Sequence, residues 1–360
     1  MITEESKKNR QKRDTDIIVK TLLNTLPERP TAILLYGGYG RGEGAWYEDE
    51  NGNTMPYNDY DVDVITDQKV TPEKRQELRK QMAKEIGIKW IDLGFISPDT
   101  IRQYQPTIQN IDLKEASTLL YGDRSVYDLF PKMEKEDIGI FDVEKLFKTR
   151  VWTFLGSWVG DFRYLDIEEA RFFKNQMAKA VLASCDLLLI ANKSYVTSYQ
   201  ERAKKACSLY PQNARLKELA TWAINEKLHP SSDSLSREKM IGLYSIVKDL
   251  FCESMKIAYG KKWNYLQNPD STKFLYYYYA TAFLKECIHK MLGHKTKIEK
   301  NIDIICAQNY AFQAWAYPGR VNSYYIMKAS NILMKWGYIE KPITDWHVLR
   351  IAVSEARNNI

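Results

Sequence analysis

Cysteine and histidine are scarce in this chain, and their placement excludes as much as their number. The five cysteines (Cys185, Cys207, Cys252, Cys287 and Cys306) stand far apart, their count is odd, and no two form a Cys-x-x-Cys pair. A disulfide framework is therefore not expected. The four histidines are scattered, and the nearest two, His289 and His294, are split by a helix-ending Gly293. That spacing gives no zinc site. Long apolar runs are missing as well: the greasiest stretches, 180–190 and 274–284, fall short of the roughly 18–20 residues that span a bilayer. The N-terminal stretch is charged rather than apolar, which is not the pattern of a secretory signal, and cytoplasmic placement is the expectation. No internal repeat or low-complexity tract occurs.

Charge of one sign is also in short supply. With 52 Lys and Arg against 46 Asp and Glu, the formal net charge is +6, mild for this length. It allows a small anionic partner without demanding nucleic acid. Lys7, Lys8, Arg10, Lys12 and Arg13 cluster, but Glu4, Glu5, Asp14 and Asp16 flank them, so the segment reads as a solvated helix start.

What is present is an ordinary globular composition, 44% apolar and 27% charged over 360 residues. That is long enough for two domains with real cores. Residues 3–27 carry apolar positions at helical spacing (Ile17, Ile18, Leu22, Leu26). Strands are expected over 32–36, 60–66 and 89–96. Thr71-Pro72 and Ser97-Pro98 each read as an N-cap followed by proline at the first helical position. From 142 onward the pattern is almost wholly helical. Asp142 is expected as an N-cap with a Phe141–Leu146 staple, and Asp166 as the cap of a long helix to about 190. Further helices are expected over 198–208, 213–226, 237–259, 271–292, 302–315, 323–336 and 343–356. The expected fold class is α+β: a small mixed-sheet domain, 1–141, followed by an all-α domain, 142–360.

The most informative stretch runs from Leu34-Leu35-Tyr36 into Gly37-Gly38-Tyr39-Gly40-Arg41-Gly42-Glu43-Gly44, and then to Asn58-Asp59-Tyr60-Asp61-Val62-Asp63-Val64. Glycines let backbone N–H groups approach phosphate oxygens. A P-loop would need Lys and Ser or Thr where Glu43 and Gly44 stand. A dinucleotide fingerprint would need a helix directly afterwards, whereas 45–57 reads as a hairpin turning at Asn51-Gly52. Asp59, Asp61 and Asp63 alternate, so on an extended strand they share a face. Carboxylates gathered in this way repel unless a cation sits between them.

Gly37 to Glu43 resembles the Gly-Ser-x-Ala-x-Gly loop of the nucleotidyltransferase superfamily, which includes DNA polymerase β and the antibiotic nucleotidyltransferases. Asn58-Asp59-Tyr60-Asp61 is similar to its Ser-Asp-hydrophobic-Asp metal motif. Trp90-Ile91-Asp92-Leu93 offers the third carboxylate, Asp92. Leu119 to Asp123 resembles the strand and turn that often close the catalytic domain, so the likeness covers about residues 30–125. The resemblance implies two Mg²⁺ ions (or Mn²⁺) held by Asp59, Asp61 and Asp92, with these three catalytic. It implies a nucleoside triphosphate bound by Gly37, Gly38, Gly40, Arg41 and Gly42, Arg41 being either a phosphate contact or a loop brace. Lys179 is a further triphosphate partner by the same resemblance, from a helical domain that covers the cleft. The product would be a nucleoside monophosphate on a hydroxyl of a small molecule, protein or RNA end, with nucleic acid the less favoured acceptor and no membrane partner.

Two departures stand out. Gly38 occupies the place of the motif serine, so only backbone donors remain there. The aspartate register also has two solutions: Asp59 and Asp61 if Asn58 replaces the serine, or Asp61 and Asp63 if Tyr60 does. Asn58 is the closer stand-in, which favours the first. The rival function is a nucleotide-binding regulatory or toxin–antitoxin-type protein with weak or no turnover. The Tyr276 to Tyr279 run points all round a helix, which suits packing better than base stacking.

Overall fold

The computed structural model describes residues 2–158, 164–231, 233–268, 291, 297–316 and 320–358. The fold is α+β, and it divides into two compact units. The first comprises Met1–Asp142, Asn192–Pro211 and Ile224–Ser231. The second comprises Val143–Ala191, Gln212–Ala223 and Ser232–Ile360. Of the helix expected over 271–292, residues 271–290 and 292, with the Tyr276 to Tyr279 run, lie outside the described residues.

In the first unit, strands β1 (Ala32–Tyr36), β4 (Tyr60–Ile65), β5 (Ile91–Ile96) and β6 (Thr118–Gly122) form one mixed sheet in the order β5-β4-β1-β6. β1 runs antiparallel to β4 and β6, while β4 and β5 are parallel. A separate hairpin of β2 (Trp46–Glu48) and β3 (Thr54–Pro56) turns at Gly52, whose φ is +79°. Helix α1 (Glu4–Thr25), helix α2 (Pro72–Ile86) and one sheet face share a core of Ile18, Leu22, Leu78, Met82, Ile33, Leu35, Val62, Val64 and Leu93. Period-two alternation along β4 sends Tyr60, Val62 and Val64 to this face and leaves Asp61 and Asp63 on the other. Thr71 and Ser97 cap their helices ahead of Pro72 and Pro98 as expected.

The basic cluster in α1 is not uniformly solvated. Lys7 and Lys12 pair with Glu4 and Asp16 along the exposed side. Arg10 turns inward, donates to both oxygens of buried Asp14 at 2.8 and 2.9 Å, and reaches the Ile86 carbonyl at 2.6 Å. The Tyr60 hydroxyl donates to the same carboxylate at 3.0 Å. One buried ion pair thus ties α1 to the end of α2 and to β4.

The sequence reading assigned all of 142–360 to the helical domain, whereas Asn192–Pro211 belongs to the first unit. The reason is a buried polar network. Asp112, on helix α3 (Ile108–Ala116), receives Arg202 at 2.7 Å, Arg41 at 3.0 Å and the Tyr195 hydroxyl at 2.8 Å. Glu43 accepts from the Ser198 hydroxyl and from the Tyr199 and Gln200 N–H groups at 2.8, 2.9 and 3.3 Å, so it caps helix Tyr199–Leu209. Asp142 is also not the cap that the sequence suggested. Helix Ile140–Gly156 starts two residues earlier, Asp142 accepts the Ile108 N–H at 3.1 Å, and Phe141 is 53% exposed, so no staple forms.

The second unit is mainly helical. Helix Ile167–Ala191 opens on a capping box, with Asp166 accepting from the Glu169 N–H at 2.8 Å and donating its own N–H to the Glu169 carboxylate at 3.3 Å. It packs against helix Arg237–Tyr259. Helices Lys297–Ala314, Ser323–Lys335 and Trp346–Asn358 pack together. Trp158, Tyr244, Trp315 and Trp346 form an aromatic centre, with Trp315 and Trp346 4.6 Å apart between ring centroids. Two short strand pairs, Tyr164–Leu165 with Leu235–Ser236 and Trp315–Ala316 with Arg320–Val321, escaped the helical sequence pattern. Among the described residues no helix is long and apolar enough to cross a membrane.

Removing Asp112 leaves two buried guanidinium groups without their shared carboxylate. Breaking such a pair costs about 3–5 kcal/mol. Asp112→Ala is expected to lower the urea unfolding midpoint of the full chain by a corresponding margin, and an unchanged midpoint would show that the network contributes nothing.

Candidate active site

The site grows from the polar face of the sheet. Asp61 on β4 is the register partner of Tyr36 on β1 and of Asp92 on β5. Asp59 directly precedes β4 and continues its alternation. The result is that donor oxygens of Asp59, Asp61 and Asp92 all lie within 4.8 Å of one another, each residue half-buried. Of the two aspartate pairs, Asp59 with Asp61 is the one that lies together with Asp92. Asp63 stands outside the trio, 4% exposed, with Oδ2 buried and lacking a hydrogen-bond partner among the described residues.

The glycine segment meets this cluster directly. Gly37–Gly40 forms a single helical turn at the end of β1. Gly37 has φ +66°, and a Cβ there would collide with the Asp61 carboxylate. Only glycine supplies both the left-handed backbone and the room. Tyr39, 2% exposed, fastens the turn to the acid strand: its hydroxyl donates to the Ala45 carbonyl at 2.6 Å and accepts the Asn58 N–H at 3.4 Å. At Gly38 a Cβ would come no closer than 3.4 Å to the Glu43 carbonyl. The place of the motif serine is therefore sterically open, and what is missing is its hydroxyl.

Other expected site residues are placed differently. Arg41 is a brace: its side chain is 5% exposed, and it donates to Glu43 at 3.2 Å and Asp112 at 3.0 Å while lying over the Tyr199 ring at 4.2 Å. Nε and Nη1 are both taken by carboxylates. The Gly42 N–H donates to the Tyr39 carbonyl at 3.2 Å, and the Arg41 N–H to the Gly37 carbonyl at 3.2 Å, so those amides serve the loop itself. Gly40 lies against the Leu35 carbonyl, which a Cβ would strike. Lys179 belongs to the second unit, half-buried on helix Ile167–Ala191.

Crowding of acids appears in the neighbours' proton affinities. Burial, reinforced by the Asp92 charge, pushes the Asp63 carboxyl up to about 7. Burial and then Asp63, Asp61, Asp92 and Asp59 together raise Tyr36, holding its hydroxyl protonated. Tyr104 is pushed up to about 12 by burial and then Asp63. Tyr36 was not singled out in the sequence, although its position at the end of β1 carries the necessary parity. Asp112 and the capping role of Glu43 carried no sequence signal, because Arg41 and Arg202 lie far from Asp112 along the chain, and Ser198 to Gln200 lie far from Glu43.

Three carboxylates converging on one point make an all-oxygen donor set, which suits a hard divalent cation such as Mg²⁺ or Mn²⁺ and not zinc. Half-burial of each acid leaves the point reachable from solvent. The residues therefore fit a metal centre.

No protein-family model and no curated protein matches the chain. Among solved structures, a toxin–antitoxin crystal structure with AMP-PNP is similar over 32% of this chain and 79% of that one, at 20% identity and a TM-score of 0.23. A likeness of that size carries no argument.

Asp63 gives the site a pH signature. Because folding raises its proton affinity, its contribution to stability is fully present below the ordinary carboxylate range and is lost as pH rises through about 7. Asp63→Asn imitates the protonated form at every pH. In chelator-containing buffer, the thermal midpoint of the variant relative to the native chain is expected to rise between about pH 5 and pH 8, and a difference that stays flat would contradict the buried-acid assignment.

Proposed function

We propose that this chain is a nucleotidyltransferase, moving a nucleoside monophosphate from a triphosphate to a hydroxyl of an acceptor with release of pyrophosphate. The observation that carries this reading is the convergence of Asp59, Asp61 and Asp92 beside a glycine turn packed onto Asp61. Asp59 and Asp61 would hold divalent cations, and Asp92 would complete the set. When bound, such ions supply Lewis-acid stabilisation of phosphoryl charge and acidify a coordinated hydroxyl.

The chain's own residues supply position and a proton acceptor. Asp92 would take the acceptor hydroxyl's proton, as the acceptor oxygen bonds to the α-phosphorus and the bond to the bridging oxygen of pyrophosphate breaks. Gly37 and Gly38 bring backbone next to the acids without side chains in the way, as positioning of phosphoryl groups requires. Tyr36, kept protonated by its acidic neighbours, would remain a hydrogen-bond donor on the same face. The Arg41–Asp112–Arg202 network holds the loop from behind.

Gly38 favours a second reading, a nucleotide-binding protein of regulatory or toxin–antitoxin type with weak or no turnover. The serine hydroxyl of the resembled motif is missing although there is room for it. Calorimetry showing tight triphosphate binding without pyrophosphate release would select this reading.

The transferase reading is tested with a panel of labelled triphosphates and acceptors and with Mg²⁺ or Mn²⁺. Asp61→Asn is expected to reduce transfer about a hundredfold or more, in line with the several kcal/mol such ions supply. Undiminished transfer by the variant would remove Asp61 from the chemistry and the proposal with it.

A further inference from the structure

Beside the acid trio sits a residue that the resemblance gives no role. Trp90 lies immediately before β5, the sheet's edge strand, and two positions from Asp92. Side chains two apart on extended backbone lie side by side, and here they meet: the Trp90 indole N–H donates to Asp92 Oδ1 at 2.8 Å. The ring is held in turn. The Arg79 guanidinium, from α2, lies over it at 5.1 Å and donates through Nη2 to the Leu93 carbonyl of the same strand at 3.1 Å. Arg79 thus bridges the indole and the backbone one residue beyond Asp92. Trp90 is nonetheless 39% exposed, so burial alone does not explain why an indole stands there.

From this geometry we infer that Trp90 is a positioning residue for the metal centre. Its bond to Oδ1 would fix the rotation of the Asp92 carboxylate relative to Asp59 and Asp61, while Arg79 would hold the indole plane. Asp61 and Asp92 are adjacent in the ladder, so strand pairing fixes their Cα atoms but leaves the Asp92 carboxylate free to rotate. An indole N–H is a donor only and cannot itself ligate a cation, which lets it orient the carboxylate without competing for the ion. Groups that hydrogen-bond to ligating carboxylates contribute about 10–100-fold in metal affinity. The inference rests on the metal reading proposed above and adds a residue to it.

The test is Mn²⁺ binding to the full chain, followed by electron paramagnetic resonance of free Mn²⁺, with no nucleotide or acceptor present. Trp90→Phe is expected to weaken binding about 10–100-fold. Trp90→Gln, which keeps an N–H donor and loses the ring, should retain most of that affinity, and thermal unfolding of both variants should match the native chain. Asp92→Asn serves as the reference for a lost ligand. If Trp90→Phe binds Mn²⁺ like the native chain while Asp92→Asn does not, the positioning role is wrong and the metal reading stands. Equal losses in the Phe and Gln variants would also overturn it, since the donor would then not be the cause. If the native chain binds no Mn²⁺, the metal reading falls and this inference falls with it.

Discussion

Like-charge repulsion is the constraint around which the first unit is built. Three carboxylates have donor oxygens within 4.8 Å of one another, and a fourth, Asp63, lies close enough to feel Asp92. Two unit charges about 5 Å apart repel by about 3 kcal/mol at an effective dielectric of 20. No fold stability of ordinary size absorbs several such terms without relief. The chain relieves them in distinct ways. Asp59, Asp61 and Asp92 stay half-exposed, where water screens them. Asp92 accepts the Trp90 N–H. Asp63, the buried one, takes a proton near neutrality.

Space for these acids is made by glycine as much as by strand alternation. Gly37 faces the Asp61 carboxylate, and Gly94, the register partner of Asp63, faces the Asp63 carboxylate; a Cβ at either would collide with it. On the reverse face Val62, Val64, Ile33 and Leu35 are fully buried against α1 and α2. A one-residue slip of β4 would drive its acids into that core and its valines out. The pattern that assembles the site is therefore the one that fixes the register. Behind the glycine turn, Arg41, Glu43, Asp112 and Arg202 complete the frame. Their mutual ion pairs recruit Asn192–Pro211 to this unit from beyond helix Ile167–Ala191.

Much of this was legible in the sequence, and the division follows interaction range. Strands β1, β4 and β5, the hairpin at Gly52 and the caps at Thr71 and Ser97 rest on local chemistry, and all of them occur. Asp59 and Asp61 were legible because period-two alternation is a local rule, whereas Asp92, on a separate strand, entered only through the family resemblance. Long-range polar partners were not. Arg41 in a glycine loop suits a phosphate as well as a carboxylate, and only the fold brings Asp112, 71 positions away, to its guanidinium. Asp142 satisfied every local rule for an N-cap, yet its carboxylate is taken by Ile108 across the chain. Arg10 reads as one charge among many until Asp14, Tyr60 and Ile86 close around it. The short strand pairs of the second unit were missed because two residues each give no period to read.

Gly38 shows how far geometry and chemistry separate at this site. The turn does not need glycine there, since φ is not left-handed and a Cβ meets nothing closer than 3.4 Å. At Gly37 and Gly40 the opposite holds, with carboxylate and carbonyl oxygens occupying the Cβ positions. Glycine at 37 and 40 is therefore dictated by packing, and glycine at 38 is not. A residue that packing does not require, placed where a hydroxyl would fit, changes what the loop offers a ligand without changing its shape. With glycine at 38, that position contributes backbone and no side-chain donor. Shape at the turn is kept instead by the Tyr39 hydroxyl, which joins it to Ala45 and to Asn58 just ahead of β4, as the Trp90 indole holds the Asp92 carboxylate on β5.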